Sequence, residues 1–254
     1  MSRRHISRTP LFVLVAFGVA AAASISSFGS VAARQQVRST PERLAQMQHH
    51  FVQVGLVHEA LIRGDLPAVR ESAKLIANAE APRGVAASTS QYVAAMRLGA
   101  QRAASAPDLA AGAAATVSML LSCGECHRTA GTMPAPLTPK RPPVGGLVGH
   151  MLEHQRAADE MLEGLVIPSL SQWFSGAKRL AAAPLRPENL PPDKKLTPEI
   201  RQAEARLHQL AERATQAGSP KDRGDIYAQM LTTCADCHSL HGVWGPRSPA
   251  GAKP

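Results

Sequence analysis

Residues 108–127 read Asp-Leu-Ala-Ala-Gly-Ala-Ala-Ala-Thr-Val-Ser-Met-Leu-Leu-Ser-Cys-Gly-Glu-Cys-His. Asp108, just after Pro107, is the residue type that caps a helix by accepting its first free backbone N–H groups. The alanines and leucines that follow favour continuing the helix. Near its end it carries Cys123-Gly124-Glu125-Cys126-His127, and the same spacing returns as Cys234-Ala235-Asp236-Cys237-His238. These hold all four cysteines of the chain. In a C-x-x-C-H pentapeptide the two thiols stand about one helical turn apart, within reach of two vinyl groups of one porphyrin, and the adjacent imidazole can approach the iron from the same side. The spacing therefore reads as c-type haem attachment at both places. Cys123, Cys126, Cys234 and Cys237 would hold two covalently bound haem c groups, with His127 and His238 as the proximal iron ligands.

Three other chemistries use paired cysteines. A stabilising disulfide framework does not call for a histidine directly after each pair. A zinc site built from two C-x-x-C pairs fits poorly with export to an oxidising compartment. A thioredoxin-like dithiol needs a βαβ context, for which the sequence has no sign.

Outward from the motifs, the chain repeats itself. Glu59-Ala60-Leu61-Ile62 stands opposite Glu163-Gly164-Leu165-Val166 and Ala73-Lys74 opposite Ala177-Lys178, both at an offset of 104, while the cysteine motifs are offset by 111. The seven extra residues of the second half fit the proline-rich stretch from Pro184 to Pro198. Each half is predicted to hold four helices. In the first these are Pro41 to about Arg63, Leu66 to about Ala79, Ser90 to Ser105, and a fourth after Asp108. In the second they are Leu147 to Val166, Ser169 to Ala182, Pro198 to Ala217, and Lys221 to His238. The expected fold is all-α: two tandem four-helix bundles, each with its C-x-x-C-H motif at the end of its last helix. The expected organisation is a signal peptide over 1–33, a first haem-binding bundle over 38–130, a Pro-rich linker over 131–144, a second bundle over 145–245 and a tail over 246–254.

Composition agrees with helices. Aromatics are 4% of the 254 residues, too few for a sandwich or barrel, while an apolar share of 44% with 19% charged excludes wholesale disorder. The formal charge of +9 overstates the basic balance, because Arg3, Arg4 and Arg8 precede the apolar run Leu11 to Ala23 and the small residues Val31-Ala32-Ala33. That order reads as an export signal cleaved after Ala33, or as an N-terminal membrane anchor if it is not cleaved. Removing it leaves 25 basic against 19 acidic residues, or +6. Those basic residues are scattered without interleaved aromatics, so no nucleic-acid partner is expected.

A haem motif on the last helix of a four-helix bundle resembles the class II c-type cytochromes, the cytochrome c prime group, over residues 38 to 130 and 145 to 245. Class I cytochromes c carry the motif near the start of the domain, whereas Cys123 comes some 80 residues after Thr40. The resemblance implies that the first helix of each half forms the distal side of its haem. At the offset of 104, Met47 matches Met151 and His50 matches His154, and the stripe continues through Val54, Val57 and Leu61 opposite Ala158, Met161 and Leu165. His50 and His154 are the expected distal iron ligands; Met47 and Met151, or an open position, are the alternatives. His150, one turn before His154, competes with it. His49 and His58 have no histidine counterpart, and His241 reads as a surface or propionate contact.

With both axial positions filled, the chain has no small-molecule substrate and is not expected to be an enzyme. It would transfer single electrons between redox protein partners in the periplasm, alone or as a subunit of a larger redox complex. The alternative is a cytochrome c prime-like binder of nitric oxide or carbon monoxide at a five-coordinate haem. A dihaem peroxidase is disfavoured because Glu59 and Glu163 fall off the distal stripe.

Overall fold

The helix boundaries follow from the caps. α1 (Pro41–Arg63) starts at Thr40, whose hydroxyl accepts the Arg43 N–H at 3.2 Å, and stops at Gly64, which is left-handed at φ 73°. α2 (Leu66–Ala77) is capped by Asp65 and α4 (Leu109–Ala130) by Asp108; α3 (Ser90–Ala104) follows a short 3-10 turn at Ala87–Thr89. The second half comprises α5 (Gly146–Val166), α6 (Leu170–Ala181), α7 (Pro198–Ala214) and α8 (Pro220–His241), the last three capped by Ser169, Thr197 and Ser219. The computed structural model describes residues 40–242 apart from 82, 83, 133, 136–143, 183, 193 and 194. The expected signal peptide, most of the expected linker and the C-terminal tail lie outside the described residues. All regular structure among those residues is helical.

Several ends differ from expectation. α2 stops at Ala77 and α7 at Ala214, short of Ala79 and Ala217. Around Thr215 the hydroxyl donates to Glu212 O at 2.6 Å and the chain tightens into a turn. α8 begins one residue early because Ser219, rather than a later residue, accepts the Asp222 N–H at 3.0 Å. Both motif helices run past their histidines, to Ala130 and His241, and end only where Gly131 and Gly242 turn left-handed. The cysteine motifs thus sit about one turn inside the helix ends, where the backbone is fully hydrogen-bonded.

Within the first half α1 packs on α2, α2 on α3, α3 on α4, and α4 back on α1; α5 to α8 repeat that circuit. The two circuits then share an interface that follows the repeat. α1 lies on α8, α5 lies on α4, and α4 packs along α8. Contacts do not divide between the halves, and the described residues fall in one unit. Val57, Leu61, Met119, Leu120, Met161, Trp173, Met230 and Leu231 are buried in one continuous apolar cluster drawn from both halves. α4 is long and apolar enough to cross a membrane by length and composition, but its Met119 and Leu120 are fully buried against these neighbours.

At the shared interface, Tyr227 of α8 is completely buried, and its hydroxyl donates to Ala158 O of α5 at 2.7 Å. His58 Nε2 of α1 lies 2.8 Å from the same hydroxyl, and the two rings stack. With the tyrosine proton committed to the carbonyl, the imidazole is the donor to the tyrosine oxygen. Burial holds His58 down to about 4, so the buried ring is neutral at pH 7. In the unfolded chain the ring takes a proton as pH falls through about 6.5, whereas the folded one resists until about 4. Stability is therefore full above the unfolded value and falls as pH drops between the two. His58 alone is expected to cost roughly 2–3 kcal/mol on going from pH 7 to 4.5. Urea midpoints at the two pH values should converge for His58→Gln relative to the parent; an unchanged difference would show that the ring is not buried neutral.

Candidate functional site

The second cysteine motif opens on a cleft lined by Cys234, Cys237 and His238 of α8, Met151 and His154 of α5, and Glu204 of α7. Ile62 of α1 completes it from the other half. Three expected site features, the thiol pair, the following imidazole and the opposed His154, therefore share one concavity. No cysteine is in a disulfide. Burial pushes the Cys234 thiol up to about 12, with Cys237 and Glu204 adding to it, and Cys237 up to about 11. Cys123 rises to about 12 for the same reasons, burial first and then Cys126. Thiols in this state are protonated at neutral pH and are not thiolate nucleophiles.

The two motif histidines are held in a reciprocal way. His238 Nδ1 lies 2.9 Å from Ile62 O near the end of α1, and His127 Nδ1 lies 2.8 Å from Val166 O at the end of α5. Ile62 and Val166 are repeat equivalents at the offset of 104. A carbonyl oxygen can only accept, so each Nδ1 carries the hydrogen and each Nε2 keeps its lone pair. The acceptors are carbonyls of the last helical turn, which lack an intrahelical partner. Each half thus orients the imidazole of the other. Burial lowers both pKa values, partly offset by these hydrogen bonds, which keeps the rings neutral and fit to ligate a metal.

That arrangement meets the needs of a covalent porphyrin: free paired thiols on one helix face, a neutral imidazole of fixed tautomer beside them, and a second imidazole across the second cleft. The first motif is less symmetric with it. His50 is buried on α1, its pKa lowered by burial and then by His49 and Arg97, while burial raises the Cys126 thiol, partly offset by Thr89. The described contacts bring His154 to its own motif and leave His50 with Arg97 and His49. Met47 is half-buried, one turn before His50.

Sequence reasoning missed the contribution of α7. Glu204 Oε1 takes the Leu185 N–H at 2.7 Å and lies 3.1 Å from His208 Nε2 and 3.6 Å from His150 Nε2. The rings of His150 and His154 are 4.1 Å apart between centroids, and those of His154 and His208 are 6.0 Å apart. Ligand atoms of His150, His154 and Glu204 all lie within 4.8 Å of one another, and His150 Nε2 is buried without a hydrogen-bond partner. The available signal was the Glu204, His208 spacing of four, which puts both on one face of a helix.

The chain matches no protein-family model, no curated protein and no solved structure.

Proposed function

We propose that this chain is an exported dihaem c-type cytochrome with class II character, built as two tandem four-helix bundles joined through a common core. It passes single electrons between redox proteins of the periplasm, alone or within a larger redox complex. The observation that carries the reading is the duplicated C-x-x-C-H motif whose imidazoles are each locked with a bare Nε2 by a carbonyl of the opposite half. The bound groups would supply one-electron redox chemistry. Cys123, Cys126, Cys234 and Cys237 would anchor them, and His127 and His238 would bind the irons on the proximal side. His154 and, by repeat, His50 would fill the distal positions and leave no place for a substrate. Apolar side chains such as Leu207, Met230 and Leu231 line the second cleft and exclude water from it.

The mass and spectra of protein exported from a cytochrome-maturing host test the proposal. The expected result is a processed chain carrying two covalent haems, low-spin at both irons, whose reduced form does not change its Soret band with carbon monoxide. A colourless protein would overturn it.

A second reading has one observation in its favour. Glu204 lines the second cleft, and His150 Nε2 stands 3.6 Å from its Oε1, which gives the carboxylate an imidazole partner for acid–base work, as gas or peroxide chemistry at an open iron would require. One equivalent of carbon monoxide bound per chain would favour it.

A further inference from the structure

We infer that the two haem sites differ in potential, the second lying below the first, so that an electron delivered at the second motif runs on to the first. This rests on the dihaem reading above. The third helices align in sequence at the same offset of 111 as the motifs: buried Gly99, Ala100 and Ala103 on α3 answer buried Leu210, Ala211 and Ala214 on α7. That register sets Glu204 opposite Val93 and His208 opposite Arg97. A carboxylate therefore stands in the second half where the first has an apolar side chain. A guanidinium stands in the first where the second has an imidazole.

Glu204 is 9% exposed and lines the cleft with both thiols and His238. Its Oε1 accepts the Leu185 N–H at 2.7 Å and lies 3.1 Å from His208 Nε2, contacts that favour the charged carboxylate. The motifs differ in the same sense. Glu125 is neutralised by an ion pair with Arg128, three residues on. Its counterpart Asp236 is exposed, and Ser239 stands where Arg128 would be. Glu204 lines the same cleft as Cys237, and Asp236 precedes Cys237 in the chain, so both carboxylates stand beside the second attachment site. In the first half Arg97, the register equivalent of His208, donates to Ala79 O at 2.5 Å and brings a guanidinium where the second half has an imidazole.

Oxidising a haem iron adds one positive charge to the site. A buried carboxylate nearby stabilises the ferric state and lowers the potential, and a guanidinium does the reverse; both effects are stronger inside the protein than in water. The step is balanced as one electron: the second iron goes from ferrous to ferric as the first goes from ferric to ferrous. The outside donor is a reduced one-electron redox protein, and no proton or further reactant is needed.

Spectroelectrochemical titration of the full-length protein tests this. Two separate waves are expected. Glu204→Gln should raise the lower wave and leave the upper one in place. Asp236→Asn, at an exposed position that the fold does not need, should raise the same wave by less. Arg97→Gln should lower the upper wave. Two haems titrating as a single wave, or both carboxylate variants leaving the lower wave unmoved, would overturn the inference while leaving the dihaem reading intact. A protein without covalent haem absorbance would overturn that reading itself, before any titration.

Discussion

Alanine at His154 is expected to convert one of the two haems from low-spin to high-spin and to open one carbon monoxide site per chain. His154 is the imidazole that shares a cleft with Cys234, Cys237 and His238, so on the proposed ligation its loss empties the distal position of the second haem alone. The first haem, served from α1, should keep its spectrum. Ligand loss changes spin state outright, so the expected change is about half of the low-spin signal rather than a small shift. His150 complicates the outcome in a useful way, because its ring lies 4.1 Å from that of His154 and its Nε2 has no hydrogen-bond partner. If His154→Ala stays low-spin and the double variant with His150→Ala does not, His150 is the ligand or its substitute. Were both variants to keep two low-spin haems, neither residue would be a distal ligand. His50→Ala is the matching experiment for the first haem.

Much of the secondary structure was legible because its determinants are local. Thr40, Asp65, Asp108, Ser169 and Thr197 each accept a backbone N–H three residues on, and those bonds set where α1, α2, α4, α6 and α7 begin. The repeat was legible too, and it led to the buried stripe through His50, Val54, Val57 and Leu61. What the repeat does not tell is which half packs on which. Equivalent positions in a duplicated chain can meet their own half or the other, and the local pattern is the same in both cases. Here Ile62 and Val166 both reach across.

The same logic hid residues that break the repeat. In the register of the repeat His58 has Leu162 as its counterpart and Tyr227 has Thr116, so comparison of the halves discards a pair that forms a buried polar link between them. Glu204 was passed over for a different reason. Its counterpart in the first half is the apolar Val93, and its spacing of four from His208 puts both on one face of α7 without marking that this face looks into the cleft.

Gly124→Ala is expected to destabilise the fold by about 2–3 kcal/mol, at the upper end for one added methyl. A Cβ built at Gly124 would lie well inside contact distance of Leu165 O and 3.7 Å from Pro168 Cδ. The obstacle is a backbone carbonyl in the last turn of α5, which cannot rotate aside as a side chain would. α4 must then lift from α5, and the 2.8 Å bond from His127 Nδ1 to Val166 O stretches with it. The equivalent contact on the other side is solved by the opposite partner. Ala235 occupies the motif position, and the close approach is provided by Gly64, where an added Cβ would be 3.5 Å from Ala235 Cβ, an ordinary contact. Ala235→Gly should therefore cost about 1–2 kcal/mol, through glycine's greater freedom in a helix and the loss of one buried methyl. Urea unfolding should show the larger loss for Gly124→Ala at unchanged m value. On the proposed ligation, the electronic spectrum of the first haem should also shift while the second stays fixed, because a weakened Nδ1 hydrogen bond makes the proximal imidazole a poorer donor to iron. A Gly124→Ala midpoint within about 0.5 kcal/mol of the parent, with both haem spectra unmoved, would mean that α4 does not rest on the end of α5 and that the halves do not orient each other's histidines.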